Sequence, residues 1–330
     1  CGAGGSRRGG DVMPKQEKQV FRDTIQHHSK SFSFASSLIP GDARRHVEVL
    51  YTWCRRADDA IDLAPPEAQD DALAGLRAEL DLIYEGGPSD DAMVVAMQDL
   101  VRRFQIPRTY PDELLEGMAM DARGVAYTEM DTLLLYCYRV AGTVGLMMSH
   151  VLGVREPEAL QNAVHLGIAM QLTNICRDVR EDWARGRLYI PHDLLEKHGG
   201  RALPAQLGAA LSLQFQDALA KSVRDLLDLA DVYYASADTG LRGLSWRAAL
   251  AVRAARYIYA EIGAEVRKKN YDVFRGRAYV PKSRKYALGL KALGAAVLEV
   301  PFRTVNRFSR APLSKALHFP GDVLILESDG

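Results

Sequence analysis

The chain has 330 residues, 48% hydrophobic and 25% charged, which is the balance of an ordinary globular protein and excludes a disordered or fibrous chain. Its 42 basic and 42 acidic residues cancel, so no net field favours a nucleic acid as partner. The four cysteines are scattered without paired spacing, which argues against a disulfide framework or a zinc site and agrees with a reducing cytoplasm.

The N-terminal residues CGAGGSRRGGDV are rich in glycine and basic, and they lack the apolar stretch of a signal peptide. We expect residues 1–13 to form a disordered extension that ends at a start residue, Met13. No long linker or internal repeat interrupts the remainder. The sequence therefore predicts one domain over residues 14–313 and a C-terminal tail over 314–330.

Helical periodicity dominates from about Gln16, and no alternating strand pattern persists. Pairs of proline and glycine separate the periodic segments. The predicted helices are 16–30, 42–62, 67–85, 90–105, 111–123, 130–152, 157–183, 205–235, 246–269 and 283–309. We expect Pro301 to kink or break the last of them.

The most apolar stretch, residues 133–154, is interrupted by Arg139, Ser149 and His150. A membrane span would have to place a charged arginine in lipid, which is costly. The sequence predicts a buried core helix here.

A first polar stripe lies at the end of the predicted helix 42–62. Tyr51, Arg55, Asp58 and Asp62 are spaced i, i+4, i+7 and i+11, so they share one narrow face. The two aspartates are one turn apart, where like charges repel. An unaided helix loses stability from such a pair.

A second polar stripe lies in the predicted helix 157–183. Gln171, Asn174, Asp178 and Asp182 are spaced i, i+3, i+7 and i+11. The adjoining side of this helix is apolar and consists of Leu172, Ile175, Val179 and Trp183. Arg177 and Arg180 are predicted to point elsewhere. The acids therefore border an apolar face, which favours a pocket with hydrocarbon walls and an ionic rim.

Either stripe alone is explained about equally well by surface ion pairs on an exposed helix. The two together favour divalent cations, because ionisable groups beside apolar surface need a charged partner. Hard oxygen ligands suit Mg²⁺, which commonly binds carboxylates together with substrate phosphates. The pattern therefore predicts a long hydrocarbon substrate that carries a diphosphate.

Five segments between about residues 20 and 290 resemble the squalene/phytoene synthase family. They are HSKSFS at 28–33, YTWCRRADDAID at 51–62, EGMAMD at 116–121 with YCYRVAGTVG at 136–145, QLTNICRDVRED at 171–182 with GRLYIP at 186–191, and NYDVF at 270–274 with RAYV at 277–280. Jointly these motifs are specific. Within the family, bacterial phytoene synthases are the most similar.

The resemblance implies an all-α isoprenoid synthase fold, a single-domain helical bundle around a central apolar cavity. It also implies a prenyltransferase of carotenoid biosynthesis that joins two geranylgeranyl diphosphates head to head. The reaction passes through prephytoene diphosphate to phytoene and releases two diphosphates. The implied cofactor is Mg²⁺, with Mn²⁺ as its substitute, and no NADPH is expected.

The resemblance also assigns residues. The implied catalytic residues are Tyr51, Arg55, Asp58, Asp62, Asp178 and Asp182. The implied metal ligands are Asp58, Asp62, Asn174, Asp178 and Asp182. The implied substrate-binding residues are His28, Ser29, Ser31, Phe32, Tyr136, Val140, Gln171, Asn174, Arg187, Tyr257 and Arg277.

Three alternatives stay open at this point. A squalene, dehydrosqualene or presqualene diphosphate synthase would use farnesyl diphosphate with the same chemistry. A terpene cyclase shares aspartate-rich helices but does not require the match at 271–280. A non-catalytic prenyl-lipid-binding or assembly factor is the alternative of another class, and the completeness of both stripes argues against it.

The segment 284–313 is basic and amphipathic. We expect it to cap the core, with contact to a membrane surface as the second option. The expected location is the cytoplasm, with peripheral contact to the inner face of the membrane. Geranylgeranyl diphosphate and downstream carotenoid enzymes are the expected partners.

Overall fold

The computed structural model describes residues 34–39, 41–154, 156–201, 207–208 and 211–303, without the side chains of 299–303. Several predictions lie outside these residues and are not tested by them. They are the helix 16–30, the extension 1–13, the tail 314–330, and the substrate contacts His28, Ser29, Ser31 and Phe32.

The part of the chain that the structure describes is helical and contains no strand, which confirms the all-α fold class. The α-helices are α1 Gly41–Asp62, α2 Gln69–Glu85, α3 Ala92–Phe104, α4 Thr109–Ala122, α5 Met130–Cys137, α6 Thr143–Leu152, α7 Pro157–Ala184, α8 His192–Lys197, α9 Leu213–Gly240, α10 Trp246–Lys268 and α11 Lys282–Arg303. A π-helical turn, Tyr138–Gly142, joins α5 to α6.

Most helix ends lie within two residues of the prediction, and three larger differences have a physical reason. The short helix α8 was missed because one and a half turns carry too little periodicity to detect. Helix α9 begins at Leu213, since the Ser212 side chain caps it by accepting a hydrogen bond from the Phe215 N–H. Helix α11 continues through Pro301 to Arg303, so the expected break at Pro301 was wrong.

Helix α7 is the central element of the bundle. It packs against α6, α9 and α10, and the π-helical turn also contacts it. The apolar side predicted from the sequence is buried: Leu172, Ile175, Val179 and Trp183 are each at most 4% exposed. The acidic stripe of α7 therefore starts at the edge of the hydrophobic core.

Two glycines let α7 lie unusually close to the stretch before it. A Cβ atom on Gly167 would come within 2.4 Å of the Ala141 carbonyl oxygen. A Cβ on Gly145 would come within 2.5 Å of the Ala163 carbonyl oxygen. The backbone therefore requires glycine at these two positions for close helix packing.

By length and composition alone, the continuous stretch Met130–Leu152 is apolar enough to cross a membrane, and it is the one such helix in the described residues. Of its most apolar window, 61% is buried inside the structure, where α4 and α7 pack against it. This environment agrees with the predicted core helix.

Candidate active site

A cavity of about 440 Å³ opens between α1, α4, α6, α7 and α10. Its walls are largely apolar and include Leu114, Met118, Val144, Met148, Leu166 and Met170. Its polar lining includes the stripe residues Tyr51, Arg55, Asp58, Gln171 and Asn174. Both stripes therefore contribute to one cavity, which places polar groups beside a hydrocarbon-lined space as the sequence predicted.

The α1 stripe is held by an arginine of the same helix. Arg55 Nη1 donates to Asp58 Oδ2 at 2.8 Å, and Arg55 Nη2 donates to Asp59 Oδ1 at 2.5 Å. Burial raises the pKa of Asp58 to about 6 against the opposing effect of Arg55, and the charge of Asp62 raises it further. The site thus holds more negative charge than Arg55 alone neutralises.

The α7 stripe is held by two arginines. Arg177 forms a two-point pair with Asp178, with Nε 2.8 Å from Oδ1 and Nη2 close to Oδ2. Arg277, from the segment after α10, places its Nε 3.0 Å from Asp178 Oδ1. The prediction that Arg177 points away from the acids was wrong, because its long side chain folds back to Asp178. Arg180 does point away, with its Nη1 3.3 Å from the Phe274 carbonyl oxygen.

Asp182 is the acid of this stripe with the most perturbed titration. Burial raises its pKa to about 7, and the neighbouring charge of Asp178 adds to the effect. Arg185 and Arg187 act in the opposite direction. A cation bound next to this carboxyl group would stabilise its charged form and lower its pKa.

Arg187 connects the two stripes. Its side-chain Nη1 donates to Asp62 Oδ1 at 3.2 Å, and its backbone N–H donates to the Asp182 carbonyl oxygen at 2.8 Å. Asp62 ends the α1 stripe and Asp182 ends the α7 stripe. One residue therefore spans the distance between them, so the two acidic ends face each other.

Asp121 is a buried carboxylate that the assignment of site residues from the sequence missed. Its oxygens accept hydrogen bonds from the Tyr136 hydroxyl at 2.7 Å and the Tyr189 hydroxyl at 2.8 Å. Burial raises its pKa, and these hydrogen bonds oppose the shift. Its charge in turn raises the pKa values of Asp58 and Asp182, which places it between the stripes. The available signal was its position at the end of the EGMAMD motif, since no acid stands one turn away.

Three tyrosine rings surround this carboxylate. The ring of Tyr136 stacks on that of Tyr189 at 5.2 Å, and Tyr127 lies 5.4 Å from Tyr136 and 5.3 Å from Tyr189 between ring centroids. Tyr136 and Val140, which the resemblance assigned to substrate binding, line the cavity. The negative faces of such rings attract positive charge.

Tyr257, which the resemblance assigned to substrate contact, is not among the residues that line the cavity. Tyr257 packs against α11, where Lys291 Nζ lies 4.7 Å from its ring centroid. Tyr259, two residues later, lines the cavity instead and lies within electrostatic range of Arg177. Positions two residues apart on a helix point to nearly opposite sides, so Tyr257 and Tyr259 lie on different faces of α10.

The donor set fits a hard divalent cation. The Asn174 side-chain Oδ1 is buried without a hydrogen-bond partner, and the nearby stripe residues are carboxylates. In the described part of the chain, no three His, Cys, Asp or Glu side chains are arranged to hold a metal ion by themselves. Phosphate oxygens would have to complete the coordination, as they commonly do for Mg²⁺.

Comparison with known proteins gives consistent relatives. A sequence profile of the family Squalene/phytoene synthase matches residues 25–284. A phytoene synthase from Cereibacter sphaeroides is 39% identical over 295 residues, 87% of this chain and 82% of the relative. A 15-cis-phytoene synthase from Paracoccus sp. is 39% identical over 86% of this chain and 94% of the relative. One from Pantoea ananas is 37% identical over 83% and 90%.

Solved structures agree with the fold. A dehydrosqualene synthase in complex with a ligand superposes with a TM-score of 0.77 at 30% identity, covering 87% of this chain and all of that chain. A squalene synthase from Alicyclobacillus acidocaldarius superposes with a TM-score of 0.69 at 23% identity, covering 79% and 97%. The second likeness concerns the fold alone.

Proposed function

Because the chain belongs to the squalene/phytoene synthase family, we propose that it condenses two molecules of geranylgeranyl diphosphate head to head to phytoene. The observation that carries the proposal is one apolar cavity with two facing acidic stripes at its polar end. The enzyme is a prenyltransferase and its substrate is a prenyl diphosphate. The twenty-carbon chain length is the specific part of the proposal.

The arginines around the stripes supply the diphosphate contacts. Arg55, Arg187 and Arg277 each hold an aspartate and remain partly exposed. A guanidinium group binds phosphate oxygens with paired, charge-assisted hydrogen bonds. These side chains can therefore exchange a carboxylate for a diphosphate when a metal takes over the carboxylate. Tyr51 and Gln171 line the same end of the cavity.

Prenyl transferases of this kind use a divalent metal, and we propose Mg²⁺, with Mn²⁺ as its substitute. The ligands would be Asp58 and Asp62 from α1 and Asn174, Asp178 and Asp182 from α7. When bound, Mg²⁺ neutralises the diphosphate and makes it a better leaving group. The matching donor chemistry and the unpartnered Asn174 oxygen support this assignment.

The cavity walls protect the reactive intermediates. Loss of diphosphate leaves an allylic cation at C1 of one substrate, and the double bond of the second substrate attacks it. Loss of one proton from the adduct closes the cyclopropane ring of the intermediate, prephytoene diphosphate. Loss of the second diphosphate, rearrangement and loss of one proton give phytoene. Each cation would react with water, which the apolar side chains of α4, α6 and α7 exclude. The Tyr136 ring at the wall adds favourable electrostatics.

The second candidate function is that of a synthase that uses farnesyl diphosphate. The likeness to the structure of a dehydrosqualene synthase favours this candidate. Purified protein would be incubated with Mg²⁺ and labelled geranylgeranyl or farnesyl diphosphate, with and without NADPH. We expect phytoene from the twenty-carbon substrate, without dependence on NADPH. Hydrocarbon from the fifteen-carbon substrate alone would overturn the proposal, and no turnover of either would favour a binding protein.

The proposed location is the cytoplasm with peripheral contact to the inner face of the membrane. A forty-carbon hydrocarbon product is insoluble in water, which supports this contact. Downstream carotenoid enzymes are proposed as the proteins that receive it.

A further inference from the structure

Helix α11 exposes an apolar stripe. Tyr286, Leu290, Leu293 and Val297 follow the spacing i, i+4, i+7 and i+11, so they share one face. They are 63%, 70%, 41% and 60% exposed. A second face, formed by Leu288, Ala292 and Ala296, is buried. The sequence therefore makes this helix apolar on its outer side as well as on its inner side, unlike a helix that only caps a core.

The exposed apolar side chains concentrate here. Elsewhere in the described residues, the large exposed apolar side chains are single and scattered: Leu63, Val95, Leu213, Val232 and Trp246. Within residues 279–298 there are six, because Tyr279 and Leu298 join the four of the stripe. Scattered residues need no explanation, whereas a contiguous patch indicates an interaction surface.

The charge around this stripe is mainly positive. Residues 273–298 contain six arginines or lysines and no acidic residue. Three of these cations, Lys282, Arg284 and Lys285, lie in the first turn of α11, directly before the stripe. Lys291 lies along it, with its Nζ 4.7 Å from the Tyr257 ring centroid. Three of the six cations are paired with acids: Arg275 with Asp272, Arg277 with Asp178, and Arg284 with Glu261 of α10 at 2.7 Å and 3.1 Å. The net positive charge of this surface therefore rests on Lys282 and Lys291.

We infer that α11 lies on the surface of a bilayer containing anionic phospholipids, with the stripe from Tyr286 to Val297 inserted at the headgroup boundary. An amphipathic helix with an apolar face and basic flanks binds such a surface in two ways. It buries its apolar side chains, and its positive charges attract the anionic headgroups. A tyrosine at the edge of the stripe suits the boundary, since its ring is apolar and its hydroxyl is polar. Pairing of two α11 helices would instead bring positive charge to both sides of the contact.

This inference deepens the proposed function by naming the surface that meets the lipid phase. Only the biological reason for membrane binding rests on the proposed function, because vesicle binding itself needs neither metal nor substrate. Helix α10 lies between α11 and the cavity, with Val252, Ala255 and Tyr259 on the cavity side. A bilayer held at α11 is therefore one helix away from the space that would hold the prenyl chains.

The full chain would be co-sedimented with vesicles of phosphatidylcholine alone and of phosphatidylcholine with phosphatidylglycerol. We expect tighter binding to the anionic vesicles, weakened by added salt. The double substitution Leu290→Ser and Leu293→Ser should weaken vesicle binding by about tenfold or more. The reason is that two leucine side chains no longer move from water into the apolar part of the bilayer. The control Leu213→Ser removes a leucine that is more exposed, at 84%, from another surface and should change nothing.

A second measurement does not depend on the folding of the double variant. Leu290→Trp should show fluorescence that is quenched by phospholipids brominated in the acyl chain, and Leu213→Trp should not. The double variant should retain wild-type turnover of prenyl diphosphate in detergent micelles. Loss of turnover in every form would count against the proposed function and would leave the vesicle result intact.

Failure to sediment with either type of vesicle would overturn the inference. Binding that the double variant does not weaken would also overturn it, because another surface would then meet the lipid. A concentration-dependent dimer of the wild type that the double variant loses, without vesicle binding, would assign the stripe to a second copy of the chain.

Discussion

The two acidic stripes have the same spacing of aspartates but are neutralised from different places. In the α1 stripe, Asp58 is held by Arg55, three residues earlier on the same helix. In the α7 stripe, Asp178 is held by its neighbour Arg177 and by Arg277, which lies 99 residues further along the chain. The first arrangement is available to an isolated helix, whereas the second needs the segment after α10 to close over α7.

This difference indicates which contacts can open for a ligand. The Arg277 side chain is 52% exposed and the Arg177 side chain is 18% exposed. An exposed ion pair contributes little to stability, so Arg277 can leave Asp178 at low cost. We expect Arg277 to move to the diphosphate while Arg177 stays in place.

The largest expected effect is loss of a metal ligand from either stripe. Asp58→Asn and Asp178→Asn each remove one charge and almost no volume, so turnover should fall by about 100-fold or more while the fold stays intact. Steady-state kinetics and circular dichroism would check both parts. The matched control is Asp217→Asn on the exposed side of α9, where, among the described residues, Asp217 pairs with Lys221 at 2.7 Å, and it should keep full activity. Near-normal turnover in one stripe variant would show that this stripe is not a metal site.

The next effect concerns the connection between the stripes. Arg187→Gln leaves Asp62 without its cation and removes a charge near Asp182, so kcat/KM should fall by about tenfold to 100-fold. Arg187→Lys should restore part of the lost kcat/KM, because lysine keeps the positive charge but lacks the paired N–H donors of the guanidinium group. Arg180→Gln, on the outward side of α7, is the control and should stay near wild type. An unchanged Arg187→Gln enzyme would mean that the stripes work independently.

A smaller effect separates Tyr259 from Tyr257. Tyr259→Phe removes a hydroxyl at the cavity beside Arg177 and should lower kcat/KM by about fivefold, the worth of one hydrogen bond. Tyr257→Phe should have no effect, since this ring packs against α11. Parallel kinetics of the two variants would check the assignment. The reverse order of effects would restore the residue that the sequence first suggested.

The smallest effect is on the pH dependence of the free energy of unfolding of the metal-free protein. The pKa of Asp182 is about 7 and that of Asp58 about 6, both above the ordinary value of 3.8. Between the unfolded and folded pKa values, the folded protein keeps protons that the unfolded chain has lost. The contribution of these groups to the free energy of unfolding therefore falls as pH rises from about 4 to about 7. Urea unfolding at about pH 5 and about pH 8 should show this slope, and it should be weaker in Asp182→Asn. An identical slope in both proteins would contradict the shifted pKa of Asp182.

Much of the site could be predicted from the sequence, because its parts repeat within single helices. The stripe positions from Tyr51 to Asp62 and from Gln171 to Asp182 follow from a spacing of 3.6 residues per turn. The structure brings both to one cavity. Tyr136 and Val140 reach the same cavity, and for them the resemblance to a family supplied what periodicity could not.

Other residues escaped sequence reasoning for identifiable reasons. Asp121 has no acid one turn away, so its helix shows no stripe, and its role depends on Tyr136 and Tyr189 from elsewhere in the chain. Arg177 was misplaced because its long side chain reaches a neighbour that its helical position does not face. Tyr259 was not considered, because the resemblance assigned only Tyr257 and only packing decides which face of this helix meets the cavity.

By itself, the sequence determined an all-helical chain, two acidic stripes beside apolar faces, and a family. Only the tertiary structure decided that Arg187 joins Asp62 to Asp182, that Asp121 lies between the stripes, and that α11 keeps an apolar face exposed. The physical reason is that helical periodicity depends on residues a few positions apart. Contacts between distant segments depend on how whole helices pack, which no local pattern records.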